Sequence, residues 1–380
     1  MNDSRQKVIR YLEKIQKDCL KSRFGSDYIN QFENLSLQSQ KNNIFEKYAA
    51  SQPSIPQSEI EGLKKRLELL NQSVVLNTNY EFSLTYTILK SLYEKIEFTA
   101  NKLSLLTPTK PFIGTALSKE YNAFAGKVPD TNEYLIVFEG ELFILCNLLS
   151  KIVALSIPDF KMSDEGASFS LKKARIVNHI KTNPDLQEKF ADLVHNAIFL
   201  GQPNQTKQYF LNEPFGKLQY ELFNSLELFV VGHEYGHIYC GHLSESNIKK
   251  RAINHKDIDI VSPDWDMEYE ADFIGLKLLL NSLEEDSLLP FSYLGPELFF
   301  TFLDLNDRIN NLQNGGIEKR SYDCETHPPP FERRDRIRRI LKSSLPSDLL
   351  ESYIFISEFL ENVMDTLWDD YKDRFIKESK

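Results

Sequence analysis

Cysteine is scarce in this 380-residue chain and poorly spaced for its usual structural jobs. Cys19, Cys146, Cys240 and Cys324 form no CxxC pair. That excludes a disulfide framework and a thiolate zinc site, and suits a reducing cytoplasmic setting. Glycine is scarce as well, at 15 residues. Against a usual share of roughly 7%, and with Leu, Lys and Glu abundant, this favours helix over a turn-rich β architecture. Positive charge is in deficit: 45 Lys and Arg face 55 Asp and Glu, a net of −10. A broad cationic face for nucleic acid or anionic lipid is therefore not expected. Clean apolar runs are missing too. The most apolar stretch, Tyr134 to Leu155, is broken by Glu139, Glu141 and Lys151 and falls short of the roughly 20 residues of a membrane span. The opening residues carry Arg5, Lys7, Arg10, Glu13 and Lys14, so the apolar core of a secretory signal is lacking and export by that route is not expected. There is no GxxxxGK[ST] or GxGxxG phosphate loop, which weakens any nucleotide-dependent reading.

What is present is ordinary globular composition, 41% hydrophobic and 26% charged, in a length that suits two domains or one domain with large insertions. Val8, Leu12, Ile15 and Cys19 recur at helical spacing, as do Ile60, Leu63, Leu67 and Leu70 behind a Ser58/Glu61 capping box. A third helix is predicted over about 82 to 105. Residues 1–110 thus read as a helical region. After Pro108 and Pro111, Tyr134-Leu-Ile-Val-Phe138 has the composition of a buried strand, with a helix following from about Gly140. The expected organisation is a domain over 111–343 with a helical insertion at about 158–216, then a terminal helix within 344–380. That insertion would serve as a lid or a substrate-selecting surface.

The chemistry lies in the middle of the chain. Val231 to Gly241 contains His233-Glu234-x-x-His237, behind Leu222, Phe223, Leu226, Phe229 and Val230. Histidines at i and i+4 share one helical face and can reach one Zn²⁺, with the glutamate between them near a metal-bound water. The competing reading is two histidines on a solvated helix face, and a third ligand decides between them. A metzincin would place glycine at 240 and histidine at 243; Cys240 and Leu243 exclude that class. A second helix supplies the alternative, with Ser262 as N-cap, Pro263 at the first position, and Glu268 and Asp272 at i and i+4 beside the small Ala271 and Gly275. Glu268 is assigned as third ligand and Asp272 as the carboxylate that orients a ligand histidine through its other ring nitrogen. Glu270 reads as surface, and Gly241 as a helix stop.

The pair HExxH and ExxAD resembles the gluzincin metallopeptidases of family forty-eight, the group that includes the HtpX and CAAX prenyl proteases. Tyr121-Asn122-Ala123-Phe124-Ala125 resembles that family's edge-strand segment, and Tyr134 to Leu149 resembles the strand and helix that follow it. Thr326-His327-Pro328-Pro329 resembles its late His-Pro-Pro segment. The resemblance covers about a quarter of the chain. It implies a zincin-like catalytic core in an α+β, predominantly helical fold, with a small sheet at the rim of a cleft. Asn122, Ala123 and Phe124 would then hold an extended substrate by strand addition, and His327 would polarise the carbonyl. Each has a plainer reading, an interior strand in one case and a turn in the other. The run Arg333, Arg334, Arg336, Arg338 and Arg339 is broken by Glu332 and Asp335 and reads as a helix with one cationic face.

The expected protein is a cytoplasmic zinc endopeptidase with one Zn²⁺ per chain, no membrane span and no nucleic-acid partner. Its substrate would be a protein or peptide, with Glu234 as general base. The alternatives are a phage-exclusion-type protease that cleaves a host protein, and a zinc-stabilised sensor or binding protein without turnover.

Overall fold

The computed structural model describes residues 3–27, 29, 75–81, 83–118, 121–163, 166–170, 172–243, 248–253, 256–261, 265–283, 291–315 and 327–378. The helix expected around Ile60 to Leu70 and the Ser262/Pro263 cap lie outside them. The described elements are mostly helical with one three-stranded sheet and two short hairpins, which places the fold in the α+β class. By compactness the chain divides into two units, Met1–Phe143 with Glu234–Pro263, and Ile144–His233 with Asp264–Lys380. The division passes through the interior of two continuous helices. No described helix is long and apolar enough to cross a membrane.

The first unit is built on α1 (Asp3–Phe24), α2 (Ser83–Lys102), β1 (Phe112–Ala116), β2 (Ala123–Lys127) and β3 (Tyr134–Glu139). Strand β3 is central, parallel to β1 and antiparallel to β2. The apolar stripe of α1, Val8, Leu12, Ile15 and Cys19, falls where its periodicity places it and packs on Ala116, Val128, Leu135 and Val137. Gln16 leaves that stripe to do polar work. Its side chain donates to the Thr115 carbonyl at 2.7 Å and accepts from the Thr78 hydroxyl at 2.6 Å. Asn77 donates to the Ile113 carbonyl at 2.9 Å, and Glu81 accepts both the N–H and the hydroxyl of Thr115, at 2.7 and 2.5 Å. Side chains thus close the outer edge of β1, where a further strand would otherwise pair. At the far end of β1 and β3, Arg23 grips both oxygens of Glu141 at 2.6 Å, while Glu139 accepts the N–H groups of Ser118 and Glu141.

The helix α3 (Gly140–Leu155) follows β3 directly and continues into the second unit. There the segment 158–216 forms β4 (Lys161–Ser163), β5 (Gly166–Ser168), α4 (Lys173–Lys181), α5 (Pro184–Leu193) and a π-helical turn at Val194–Phe199. Asn183 caps α5 through its side chain. Ile176, Ile180, Leu186 and Phe190 are buried, so these helices are part of a packed core. The chain continues through α6 (Phe215–Tyr239), β6 (Ile248–Ile253), β7 (Lys256–Val261), α7 (Trp265–Ser282), α8 (Gly295–Gly315), α9 (Pro330–Ser344) and α10 (Ser347–Glu378). Helix α6 is locked to the start of α8: the Ser225 hydroxyl donates to the Ser292 carbonyl and accepts the Gly295 N–H. Helix α10 buries Tyr353, Ile356, Leu360, Met364 and Trp368 and packs on α4, α5 and α8.

Two carboxyls of the first unit are pushed far above their ordinary 4.5 by burial, Glu81 to about 7 and Glu139 to about 8, even though hydrogen bonds from Thr115 and from Ser118 and Glu141 oppose the shift. The folded state therefore holds these protons more tightly than the unfolded chain does. That stability is complete below about pH 4.5 and is lost as pH rises through 7 to 8. Urea unfolding at about pH 5 and about pH 8 is expected to show a lower free energy at the higher pH. Glu81→Gln, which keeps the acceptor for Thr115, is expected to remove about 3 kcal/mol of that difference. An unaltered pH slope in this variant would count against Glu81 as its source.

Candidate metal centre

Helix α6 carries both histidines of the HExxH motif on a buried face: His233, Glu234 and His237 are each less than a tenth exposed. The solvated-face reading is thereby set aside. The end of the helix is shaped by Gly241, whose φ of +74° is the left-handed conformation that glycine adopts without strain. The His242 N–H then bonds the His237 carbonyl at 3.0 Å and the Gly241 N–H bonds the Ile238 carbonyl at 3.2 Å, the paired bonds of a Schellman turn. This turn folds the buried His242 back on His237, with Nδ1 of one ring 3.0 Å from Nδ1 of the other. One ring must donate and the other accept, which occupies Nδ1 of His237 and makes Nε2 the nitrogen it could offer a metal.

Helix α7 approaches α6 more closely than ordinary side chains allow. A Cβ added at Gly275 would stand 2.9 Å from the His233 backbone nitrogen and 3.2 Å from the Phe229 carbonyl oxygen; one at Gly232 would stand 3.1 Å from the Gly275 Cα. This contact brings Glu268 and Asp272, 1% and 2% exposed, to the histidines. Asp272 Oδ1 lies 3.0 Å from His233 Nδ1, and Glu268 Oε2 lies 3.6 Å from His233 Nε2. His233, His237 and Glu268 each offer a ligand atom, and the three atoms lie within 4.8 Å of one another. Two imidazoles and a carboxylate form a donor set suited to Zn²⁺. Asp272 bonds the ring nitrogen of His233 that faces away from Glu268, the orienting position expected of it.

Arginine 333 of α9 completes the arrangement, and sequence reasoning missed it. Its Nε and Nη2 donate to the two oxygens of Asp272 at 2.8 and 2.6 Å, its Nη1 lies 3.0 Å from Glu268 Oε2, and its guanidinium stacks on the Phe300 ring at 4.7 Å. Two buried carboxylates thus share one guanidinium and also face His233, and a dication at the imidazoles would add to that compensation. Burial alone would raise the Asp272 carboxyl, but Arg333 and His233 hold it below its ordinary value. Burial alone would lower the His233 imidazole, but the Asp272 bond and charge, with Glu268, hold it above.

The arginine run is therefore not a cationic surface stripe. Arg333 and Arg334 are buried with Ile337 and Leu341 on one face of α9, Arg338 is half-buried against Glu297, and only Arg336 and Arg339 face outward. The spacing 333, 334, 337, 341 was the available clue, since arginines aligned with an apolar stripe must meet buried anions. His327 is partly exposed, with Nε2 3.6 Å from Glu268 Oε1. Glu270 is exposed.

Asn122, Ala123 and Phe124 lie in the first unit at the start of β2, an outer strand of its sheet. The Glu139 N–H bonds the Asn122 carbonyl, so Asn122 and, two residues on, Phe124 turn their main chain toward β3. The groups turned away from β3 are those of Ala123, Ala125 and Lys127, and the Ala123 N–H already bonds the Asn122 side chain.

No family model matches this chain, and neither a curated protein nor a solved structure matches it. The centre stands on its own geometry.

Gly275→Ala places a methyl group against the backbone of α6. It is expected to cost about 1 to 3 kcal/mol in chemical denaturation and to lower metal content, because only backbone displacement relieves the clash. A variant with full stability and full metal content would show that the helices need not touch here.

Proposed function

We propose that this chain is a zinc-dependent endopeptidase with a zincin-like core, acting on a protein or peptide in the cytoplasm. The observation that carries the reading is the buried trio His233, His237 and Glu268 with Glu234 between the two histidines. A structural zinc site is closed by four protein ligands and has no use for a carboxylate at that position, whereas a hydrolytic site keeps three ligands and a base. Zinc bound there would supply Lewis acidity and a water acidified to a pKa near 7.

The protein groups take defined parts. Glu234 accepts the proton of the attacking water and returns it to the leaving amine. Asp272 fixes the ring of His233, and Arg333 fixes Asp272. His327 donates to the substrate oxygen on which charge develops. The described cysteines, Cys19, Cys146 and Cys240, form no disulfide.

The test is metal analysis with cleavage of a quenched-fluorescent peptide library. Wild type is expected to hold one zinc, to lose cleavage to a chelator and to regain it with Zn²⁺. Glu234→Gln should retain the metal and lose on the order of 10²-fold or more in kcat/KM. Glu268→Ala should lose the zinc. Cleavage by Glu234→Gln at the wild-type rate, or full zinc in Glu268→Ala, would refute these assignments.

A further inference from the structure

We propose that Glu361, on the terminal helix α10, is a positioning residue for the metal centre that acts through Arg334 and the seating of α9. The inference rests on the metal reading above and adds a remote determinant to it. Arg333 and Arg334 are consecutive and both buried, and neighbouring helical residues point about 100° apart. Their guanidiniums accordingly anchor on different helices. Arg333 reaches α7 through Asp272 and Glu268. Arg334 reaches α10 through Glu361 Oε1 at 2.6 Å, and its other polar contact is the Thr301 hydroxyl of α8 at 3.3 Å.

The other oxygen of Glu361 lies 3.3 Å from both terminal nitrogens of Arg338. Arg338 has a second anion, because Glu297 binds it through both oxygens at 2.8 and 2.9 Å and itself accepts the Tyr353 hydroxyl at 2.6 Å. Among the described residues, Glu361 is the carboxylate that serves Arg334. Its removal strands a cation that is 3% exposed. A buried unpaired charge is relieved most readily by moving toward water. Rolling α9 to expose Arg334 draws Arg333 off its fork on Asp272, and Asp272 then loses its hold on His233 Nδ1. The terminal helix is thus part of what keeps the ligand imidazole aimed.

The experiment uses the full-length chain and measures zinc affinity by chelator competition, below the separately measured unfolding temperature of each protein. Glu361→Gln is expected to weaken zinc by on the order of 10-fold or more, the scale typical of groups that orient ligands. Glu361→Asp should recover most of this affinity. The double variant Arg334→Met with Glu361→Gln should recover it also, since no buried cation remains to be solvated, and it serves as the test if the single variant does not fold. Leu360→Ala, which removes a buried apolar side chain from the same helix, is expected to lower the unfolding temperature and leave zinc affinity unchanged. Wild-type affinity in Glu361→Gln, or a double variant bound no more tightly than that single variant, overturns the relay while leaving the metal reading intact. A wild-type chain that binds no zinc overturns both.

Discussion

The close approach of α6 and α7 governs the centre. Glycine at 275 lets the backbone of one helix rest on the backbone of the other beside His233, and only at that distance can a carboxylate of α7 face an imidazole of α6. Short contact also sets the electrostatic problem. Glu268 and Asp272 arrive as two carboxyls in a place nearly closed to water, and the chain sets Arg333 and His233 against them. His233, His237 and Glu268 meet in that same place, a group that could hold a metal ion.

The same economy recurs away from the centre. In the first unit, Arg23 neutralises Glu141, whereas Glu139 and Glu81 are held mainly by N–H and O–H donors and bind their protons tightly. In the second, Arg338 and Arg334 share Glu361. Among the described residues, Arg23, Arg333, Arg334 and Arg338 each meet a carboxylate of another helix, which couples the seating of these helices.

Much of this was legible in the sequence. Periodic apolar residues located α1, α6 and α10, and the β-branched run at Tyr134 located the central strand. HExxH with ExxAD located the two helices of the centre, because each motif carries its geometry in its spacing. What was not legible depended on contacts between distant segments. Arg333 looked like one charge in a basic run until the opposing carboxylates were in view. The contact of His242 with His237 depends on the turn at Gly241, which folds one ring back on the other. Which residues of β2 turn their main chain toward β3, Asn122 and Phe124 among them, is set by the parity of the ladder, which local composition does not encode.

The turn at Gly241 has a consequence for recognising distant kin. Since a helix-ending bond pattern, and not a free loop, delivers His242 to His237, the interval between those two residues can neither grow nor shrink by one without breaking the contact. A chain with the same centre should therefore display a rigid ten-letter string, His-Glu-x-x-His-x-x-x-Gly-His, followed at a variable interval by Glu-x-x-Ala-Asp. Such a string offers a handle for finding counterparts where overall similarity has faded.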